Sequence, residues 1–494
     1  MMELQFSELG AARLVVRATS QALVEGELPL PEGRSSAEVL CADGSVTVTS
    51  AAVSEGAVTV EGRVRVELIC RDEEETFAFA SSAAFRHSLS APGAKESMEA
   101  EAHAALQTLS VEQTGTLTLS AVLDVECLVL CKEPLRVLAG IHGAEDLECR
   151  QQSFETVQYA QFGQETVRIR EDISAPDVAA VLRASGVCQI RELRLGGDTA
   201  ISEGTLTVTA LTVGADGKLA QLVQHVPITL ETEADAEGAD TAGCSAEAEV
   251  ESIGLMPIGE GSGLMSMEAR IAVRVEAPQM EHIALPQDAY APSLPLACVK
   301  EEVQLLLRGE TIRFRFGASE MMNIPDGMPE CQRVAYCMAR PVVTSAAIEG
   351  GRLSVEGLLF TRVLYQTEGG MLYAFTEDIP FRCETSSAGA FSEAWAQVRT
   401  VSATASGAGR GIEFSYTLQI SAQPYEIIKT AVVTGMEECA QTAMPRGVVI
   451  YFAGEGETLF DVGRRFNLPR KRLTDMNPGI SETLADGQKL VLLL

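Results

Sequence analysis

The side chains able to do chemistry are thinly spread along this chain. Five histidines, His87, His103, His142, His225 and His282, stand apart, and none lies in a metal or nucleophile motif. Twelve cysteines, at 41, 70, 127, 131, 149, 188, 244, 298, 331, 337, 383 and 439, are equally dispersed. Cys127 and Cys131 are spaced to share a metal, but no second pair and no histidine at ligand spacing completes a zinc site. Many cysteines sit in apolar runs such as "VRVELIC" and "VECLVLC". That context predicts free, buried thiols in a reducing compartment. The Gly-rich "GAGRG" (Gly407–Gly411) runs into the strand-like "IEFSYTL", so no helix N-terminus is available to hold phosphate. "GEGSG" (Gly259–Gly263) does not match a nucleophile elbow, and no carboxylate pair stands out as acid and base. No catalytic residue, metal or cofactor is implied; the chain reads as a non-enzymatic binding or assembly protein.

Charge narrows the partners. Lys plus Arg is 38 against 69 Asp plus Glu, a net charge of −31. Such a surface opposes nucleic-acid phosphates and anionic lipid heads. The N-terminus, "MMELQFSELGAARL", lacks a basic stretch followed by an apolar one, so no secretion signal is expected. No apolar run approaches the about 20 residues that span a bilayer. The expectation is a cytoplasmic protein, not inserted in a membrane and not bound to nucleic acid.

What must position any binding residues is a β-rich scaffold in repeated form. "GAVTVEGRVRVELI" (Gly56–Ile69), "DTAISEGTLTVTAL" (Asp198–Leu211) and "GRLSVEGLLFTRVLY" (Gly351–Tyr365) align on Gly62, Gly204 and Gly357, at offsets of 142 and 295 from the first. The same offsets align "AEVL" (Ala37–Leu40), "AAVL" (Ala179–Leu182) and "QRVA" (Gln332–Ala335). Each phrase alternates with period two, the mark of a half-buried strand. The Gly falls mid-strand on the inward face, which predicts a bulge, a bend or close backbone approach. The fold class is mainly β: three tandem antiparallel β-rich domains and a small C-terminal βααβ domain. The expected division is 1–142, 150–284, a Pro-rich linker 285–298, 299–425, a linker 426–446, and 447–494. A short helix is expected near Asp177–Leu182 and its equivalents.

The terminal stretch differs from the rest. Val448–Phe452 reads as a strand. Thr458 with Asp461 approaches a capping box. Leu459, Val462, Gly463 and Phe466 form one helical stripe, and Gly463 on it suggests that another element packs close. Pro469 suits a second helix start, Asn477-Pro478-Gly479 ends that helix, and Gln488–Leu494 is a last strand. From residue 447 onward six cations (Arg464, Arg465, Arg470, Lys471, Arg472, Lys489) balance six anions (Glu455, Glu457, Asp461, Asp475, Glu482, Asp486), so residues 1–446 carry the whole −31. The cluster Arg464, Arg465, Arg470, Lys471 and Arg472 could steer an acidic protein surface, or be a solvated helix face.

"GETLFDVGRRF" (Gly456–Phe466), "LTDMNP" (Leu473–Pro478) and "LADGQKLVLL" (Leu484–Leu493) together resemble a LysM domain. The resemblance implies a groove for N-acetylglucosamine polymers such as peptidoglycan, between Gly456, Glu457, Thr458 and Leu459 on one side and Asn477, Pro478, Gly479 and Ile480 on the other. The same residues also cap, pack and turn in any such fold. "VEGELPLPEGRSSAEVL" (Val24–Leu40), "GSVTVTSAAVSEGAVTVEGRVRVELI" (Gly44–Ile69) and "APGAKESM" (Ala91–Met98) resemble the SPOCS domain of endospore-forming Firmicutes, with Ser36-Ala37 where that family commonly has Asp-Ile. The later copies are more diverged. SPOCS repeats followed by one LysM resemble the SipL family of clostridial spore-coat morphogenetic proteins. That resemblance implies a mother-cell cytoplasmic adaptor at the forespore surface, whose LysM domain engages the ATPase of the coat basement layer. The alternative is a peptidoglycan-binding protein of cell wall or spore cortex.

Overall fold

A computed structural model of the chain describes residues 3–10, 12–32, 34, 37–72, 75–113, 116–142, 146–235, 242–259, 262–387, 389–439 and 447–494. The first copy comprises β1 (Glu3–Leu9), β2 (Arg13–Leu28), β3 (Glu38–Ser54), β4 (Ala57–Arg71), β5 (Thr76–Ser90), β6 (Glu99–Gln113), β7 (Leu117–Cys131) and β8 (Leu135–His142). The second comprises β9 (Glu148–Ser174), β10 (Val178–Gly196), β11 (Thr199–Gly214), β12 (Leu219–Glu233), β13 (Ser245–Pro257) and β14 (Leu264–Tyr290). The third comprises β15 (Leu296–Arg308), β16 (Ile312–Asn323), β17 (Arg333–Glu349), β18 (Arg352–Gln366), β19 (Leu372–Ser386), β20 (Glu393–Ala408) and β21 (Gly411–Glu438).

In each copy two three-stranded antiparallel sheets face one another. Sheet β3-β4-β5 lies over β2-β7-β6, β10-β11-β12 over β13-β14-β9, and β17-β18-β19 over the sheet built on β21 with β20 and β16. Each sandwich has its own core. In β4 the side of Val58, Val60, Gly62, Val64, Val66 and Leu68 faces inward, as the alternation predicts.

The repeat is written into the strand register. Opposite Gly62, Gly204 and Gly357 the partner strand slips by one residue, between Val48 and Ser50, Ile190 and Glu192, and Val343 and Ser345. These are three equivalent β-bulges. A side chain at any of these glycines would strike the partner strand's backbone, at Thr47, Gln189 or Val342, so only Gly fits. A second bulge recurs between Val39 and Cys41, Val181 and Arg183, and Val334 and Tyr336. It corrects the helix expected near Asp177–Leu182. That segment is the start of β10, and bulges at Ala179 and Leu182 turn an alternating pattern into a consecutive apolar run, which imitates a helix.

The three sandwiches close around one point. β10 touches β5, β17 touches β12, and β3 touches β19, so each copy meets the next through equivalent strands. Such a head-to-tail ring is pseudo-threefold. At its centre Leu68, Ile69 and Cys70 are buried on both sides of their strand. Ile69 and its equivalents Leu211 and Leu364 share one cluster with Leu40, Ala335 and Tyr336. Arg183 crosses this junction. Its Nε donates to Glu67 of the first copy at 2.6 Å, and its Nη1 donates to the Tyr336 hydroxyl of the third. Burial pushes the Tyr336 hydroxyl up to about 12, although Arg183 pulls it down. Burial also raises the Asp43 carboxyl, against the pull of Arg183 and Arg340.

Beyond the sandwiches the chain forms three two-stranded ribbons: β1 with β8, the far halves of β9 and β14, and β15 with the end of β21. Their inner faces share Leu135, Val137, Phe154, Ile283, Leu285, Val303, Leu305 and Val432. These ribbons correct both linker expectations. Segment 285–298 is strand to Tyr290 and again from Leu296, and Pro286 is accommodated beside a bulge that removes the demand for its missing N–H. β21 runs unbroken through 425 to Glu438, while 440–446 lie outside the described residues.

Candidate functional site

The last unit is β22 (Val448–Phe452), α1 (Leu459–Phe466), α2 (Arg470–Met476) and β23 (Lys489–Leu493), in βααβ order with the two strands antiparallel. Leu459, Val462, Leu468, Leu473, Leu484, Leu490 and Leu492 form its core. Thr458 caps α1: its backbone N–H donates to Asp461 at 3.0 Å and its hydroxyl accepts from the Asp461 N–H at 3.3 Å. Partial burial opposes ionisation of Asp461, but the Thr458 hydrogen bonds and Arg150 outweigh it and hold the carboxyl below its usual range. Asn467 ends α1 in the left-handed region at φ 52°. Phe466 meets Tyr451 edge to face at 5.2 Å.

The first expected groove loop, Gly456–Leu459, is tied to the segment Glu482–Leu484, which follows the second loop. Thr458 and Thr483 form a β-bridge, and the Leu459 N–H donates to the Glu482 carbonyl at 2.9 Å. Glu457 accepts from the Tyr451 hydroxyl at 2.8 Å and from the Gly454 N–H at 3.0 Å. Leu459 is buried and Ile480 packs on the module core. Asn477 bonds the backbone of Val491 through both ends of its amide, at 3.0 and 2.7 Å. Gly456, Pro478 and Gly479 remain exposed. Most of these residues therefore hold the module together.

The five cations do not form one free face. Arg464 contacts Asp288, and Arg470 donates to Glu148 at 2.6 Å, both in the second copy. Arg465 stays within the module, over the Tyr451 ring at 5.4 Å and 3.1 Å from Glu457. Arg472 donates to the Leu493 carbonyl at 3.1 Å, and Lys471 is exposed.

Arg464 and Arg470 belong to a seat on the tip of the β9–β14 ribbon, where two neighbouring cross-strand pairs, Tyr290 with Glu148 and Asp288 with Arg150, face the module. The Tyr290 hydroxyl donates to the Leu468 carbonyl at 2.9 Å, and its ring meets Phe460 at 5.2 Å. Arg150 lies over Phe460 at 5.1 Å and bonds Asp461 at 2.8 Å. Asn467 donates to the Pro292 carbonyl at 2.8 Å. A side chain on Gly463 would collide with the Tyr290 hydroxyl and come within 2.8 Å of the Leu468 carbonyl. The predicted close approach at Gly463 is this contact. Phe460 and the ribbon residues Glu148, Arg150, Asp288 and Tyr290 were not foreseen, and Gly463 on an apolar stripe was the one sign of them.

A cleft of about 1810 Å³ in the body is lined by all three copies. Three ion pairs on its wall join different copies: Arg17 with Glu393 at 2.9 Å, Arg313 with Glu247 at 2.6 Å, and Arg308 with Glu101. All twelve cysteines are free. Burial pushes the thiols of Cys41, Cys70, Cys188 and Cys337 up to about 12, which makes them poor nucleophiles and metal ligands at neutral pH. Among the described residues no helix is long and apolar enough to cross a membrane.

The structure thus defines a class: bulged β-sandwich repeats in a ring, with a βααβ head seated on one ribbon. Residues 37–114 and 330–404 match the family model described as SipL, SPOCS domain. The chain therefore carries two copies of that domain, and the match suggests a spore-coat morphogenetic protein. The matched residues leave out the middle copy, which has both bulges of the other two. No curated protein matches the chain. No solved structure matches it either.

Proposed function

We propose that this chain is a non-enzymatic adaptor of spore-coat assembly, working in the mother-cell cytoplasm at the forespore surface. Its three β repeats form the scaffold, and its terminal LysM-like module docks the ATPase of the coat basement layer. The observation that carries the reading is the pair of SPOCS matches, on repeats that recur in identical register around one junction. The βααβ order and the fixed seat support a head held for presentation to a partner. Capture of the purified ATPase by the full chain and by a version ending at residue 439 tests the docking. The full chain is expected to retain the ATPase and the shortened chain to lose it; equal capture by both overturns the claim.

A second reading rests on the βααβ order and on Gly456, Pro478 and Gly479, which are open to solvent. In that reading the module binds N-acetylglucosamine polymers of wall or cortex. Sedimentation with purified peptidoglycan, competed by chitooligosaccharide, would favour it.

A further inference from the structure

The two-stranded ribbon of the terminal module has two unlike faces. Toward the helices Leu490 and Leu492 are fully buried, with Val449 and Tyr451 packed beside them. Away from the helices Val448, Ile450, Phe452, Val491 and Leu493 are 68, 54, 62, 40 and 48% exposed. The register makes them one patch: Val448 opposes Leu493, Ile450 opposes Val491, and Phe452 opposes Lys489. A strand with one wet face is ordinarily polar on that face. β4 obeys this rule, with Thr59, Glu61, Arg63, Arg65 and Glu67 on its outer side. β22 and β23 break it at every outward position except Lys489.

Neither the seat nor the groove explains this face. The body engages the helical side of the module, through Phe460, Asp461, Arg464, Leu468 and Arg470. In the groove loops Thr458, Leu459 and Asn477 make their own hydrogen bonds within the module. On the far side of β23 the amide of Asn477 bonds the Val491 backbone. Among the described residues β22 pairs with β23 alone.

The patch also has a size and a charge. Five large side chains about half exposed come to several hundred Å², the scale of a functional patch on a monomer. That falls short of the about 800 Å² per partner of a standard stable interface, so it does not by itself hold two copies together. Two copies would also bring together two bodies that each carry the full −31. One amphipathic helix, by contrast, has an apolar stripe of about this width.

Resting on the protein-docking reading above, we propose that the outer face of the β22–β23 ribbon is the docking surface. Its occupant is an amphipathic helix of the partner protein, apolar toward Val448, Ile450, Phe452, Val491 and Leu493, with a carboxylate set against Lys489. The groove and the Arg464–Arg472 cluster are then not the main contact.

The test uses the full chain, with the purified basement-layer ATPase as the probe in a titration. Ile450→Glu and, separately, Phe452→Ser are expected to weaken binding about tenfold or more, with the thermal midpoint unchanged because both side chains face solvent. Leu23→Glu, at an exposed apolar position of the body, is expected to bind like the wild type. Wild-type binding that neither ribbon variant weakens overturns the surface and leaves the docking function standing. Absence of wild-type binding overturns the docking function and this surface with it. A wild-type dimer dispersed by Ile450→Glu in light scattering, or vesicle flotation abolished by it, makes a second copy or a membrane the occupant and overturns the helix.

Discussion

Two of the junctions in this molecule are built differently. The junction of the three sandwiches is apolar at its heart, where Ile69, Leu211 and Leu364 are nearly or fully inaccessible to solvent. It is made from equivalent positions, so one strand ending serves three times. The seat of the terminal module is used once. It joins one aromatic contact, Tyr290 on Phe460, to ion pairs that remain partly exposed, such as Arg150 with Asp461 and Arg470 with Glu148. Repetition built the first junction, and the second was added at the tip of a single ribbon. The first should therefore behave as part of the fold, and the second as a strong but separable dock.

The largest effect tests this at the apolar centre. Leu211→Asp places an unpaired charge where all three copies meet, and is expected to destabilise the body by more than about 3 kcal/mol. Denaturant unfolding measures it; a loss confined to the second copy would break the view of one shared junction. Next, Arg183→Met leaves Glu67 without its partner across the junction, at a cost of about 3 kcal/mol. Alkylation of Cys41, which is 1% exposed in the intact protein, is expected to accelerate in that variant and report the opening.

The seat should yield at lower cost and without unfolding the body. Gly463→Ala presses a methyl group onto Tyr290 and the Leu468 carbonyl, and is expected to weaken the dock by about 1–3 kcal/mol. Faster proteolysis between the body and residue 447, with unchanged body unfolding, is the predicted readout. Tyr290→Phe removes the hydrogen bond to Leu468 and should cost about 1 kcal/mol by the same assay. The smallest effect is acidic. Asp461 is held below its ordinary value of 3.8. A carboxyl depressed in this way contributes stability above its unfolded pKa and loses it as pH falls through the folded one. Dock and helix cap should therefore be indifferent to pH near neutrality and loosen only in acid below about pH 4. Loosening already at pH 6 would show that another group governs the seat.

These contrasts also explain what the sequence disclosed. The repeat was legible because Gly62, Gly204 and Gly357 are each required by a bulge, and a required glycine persists where other positions drift. The inward face of β4 was legible because its alternation is unbroken up to Leu68. The helix expectation failed where two bulges close together scramble the period. The linker expectation failed because Pro286 sits beside a bulge inside a strand. In the terminal unit the βααβ order could be read from caps and stripes, which are local. The seat could not, because Asp288 and Tyr290 stand far from Phe460 in the chain, and only Gly463 carried a trace of them. Nor did a count of cations show that Arg464 and Arg470 are already committed to the body.

Joining the three sandwiches in one polypeptide has a consequence for valency. A ring assembled from three separate single-repeat chains, each with its own head, would present three heads and bind a polymeric surface with avidity. Here one ring carries one head. Under the docking role proposed above, each molecule would grip its partner once, and strong retention on a polymeric partner would come from many molecules rather than from many grips by one.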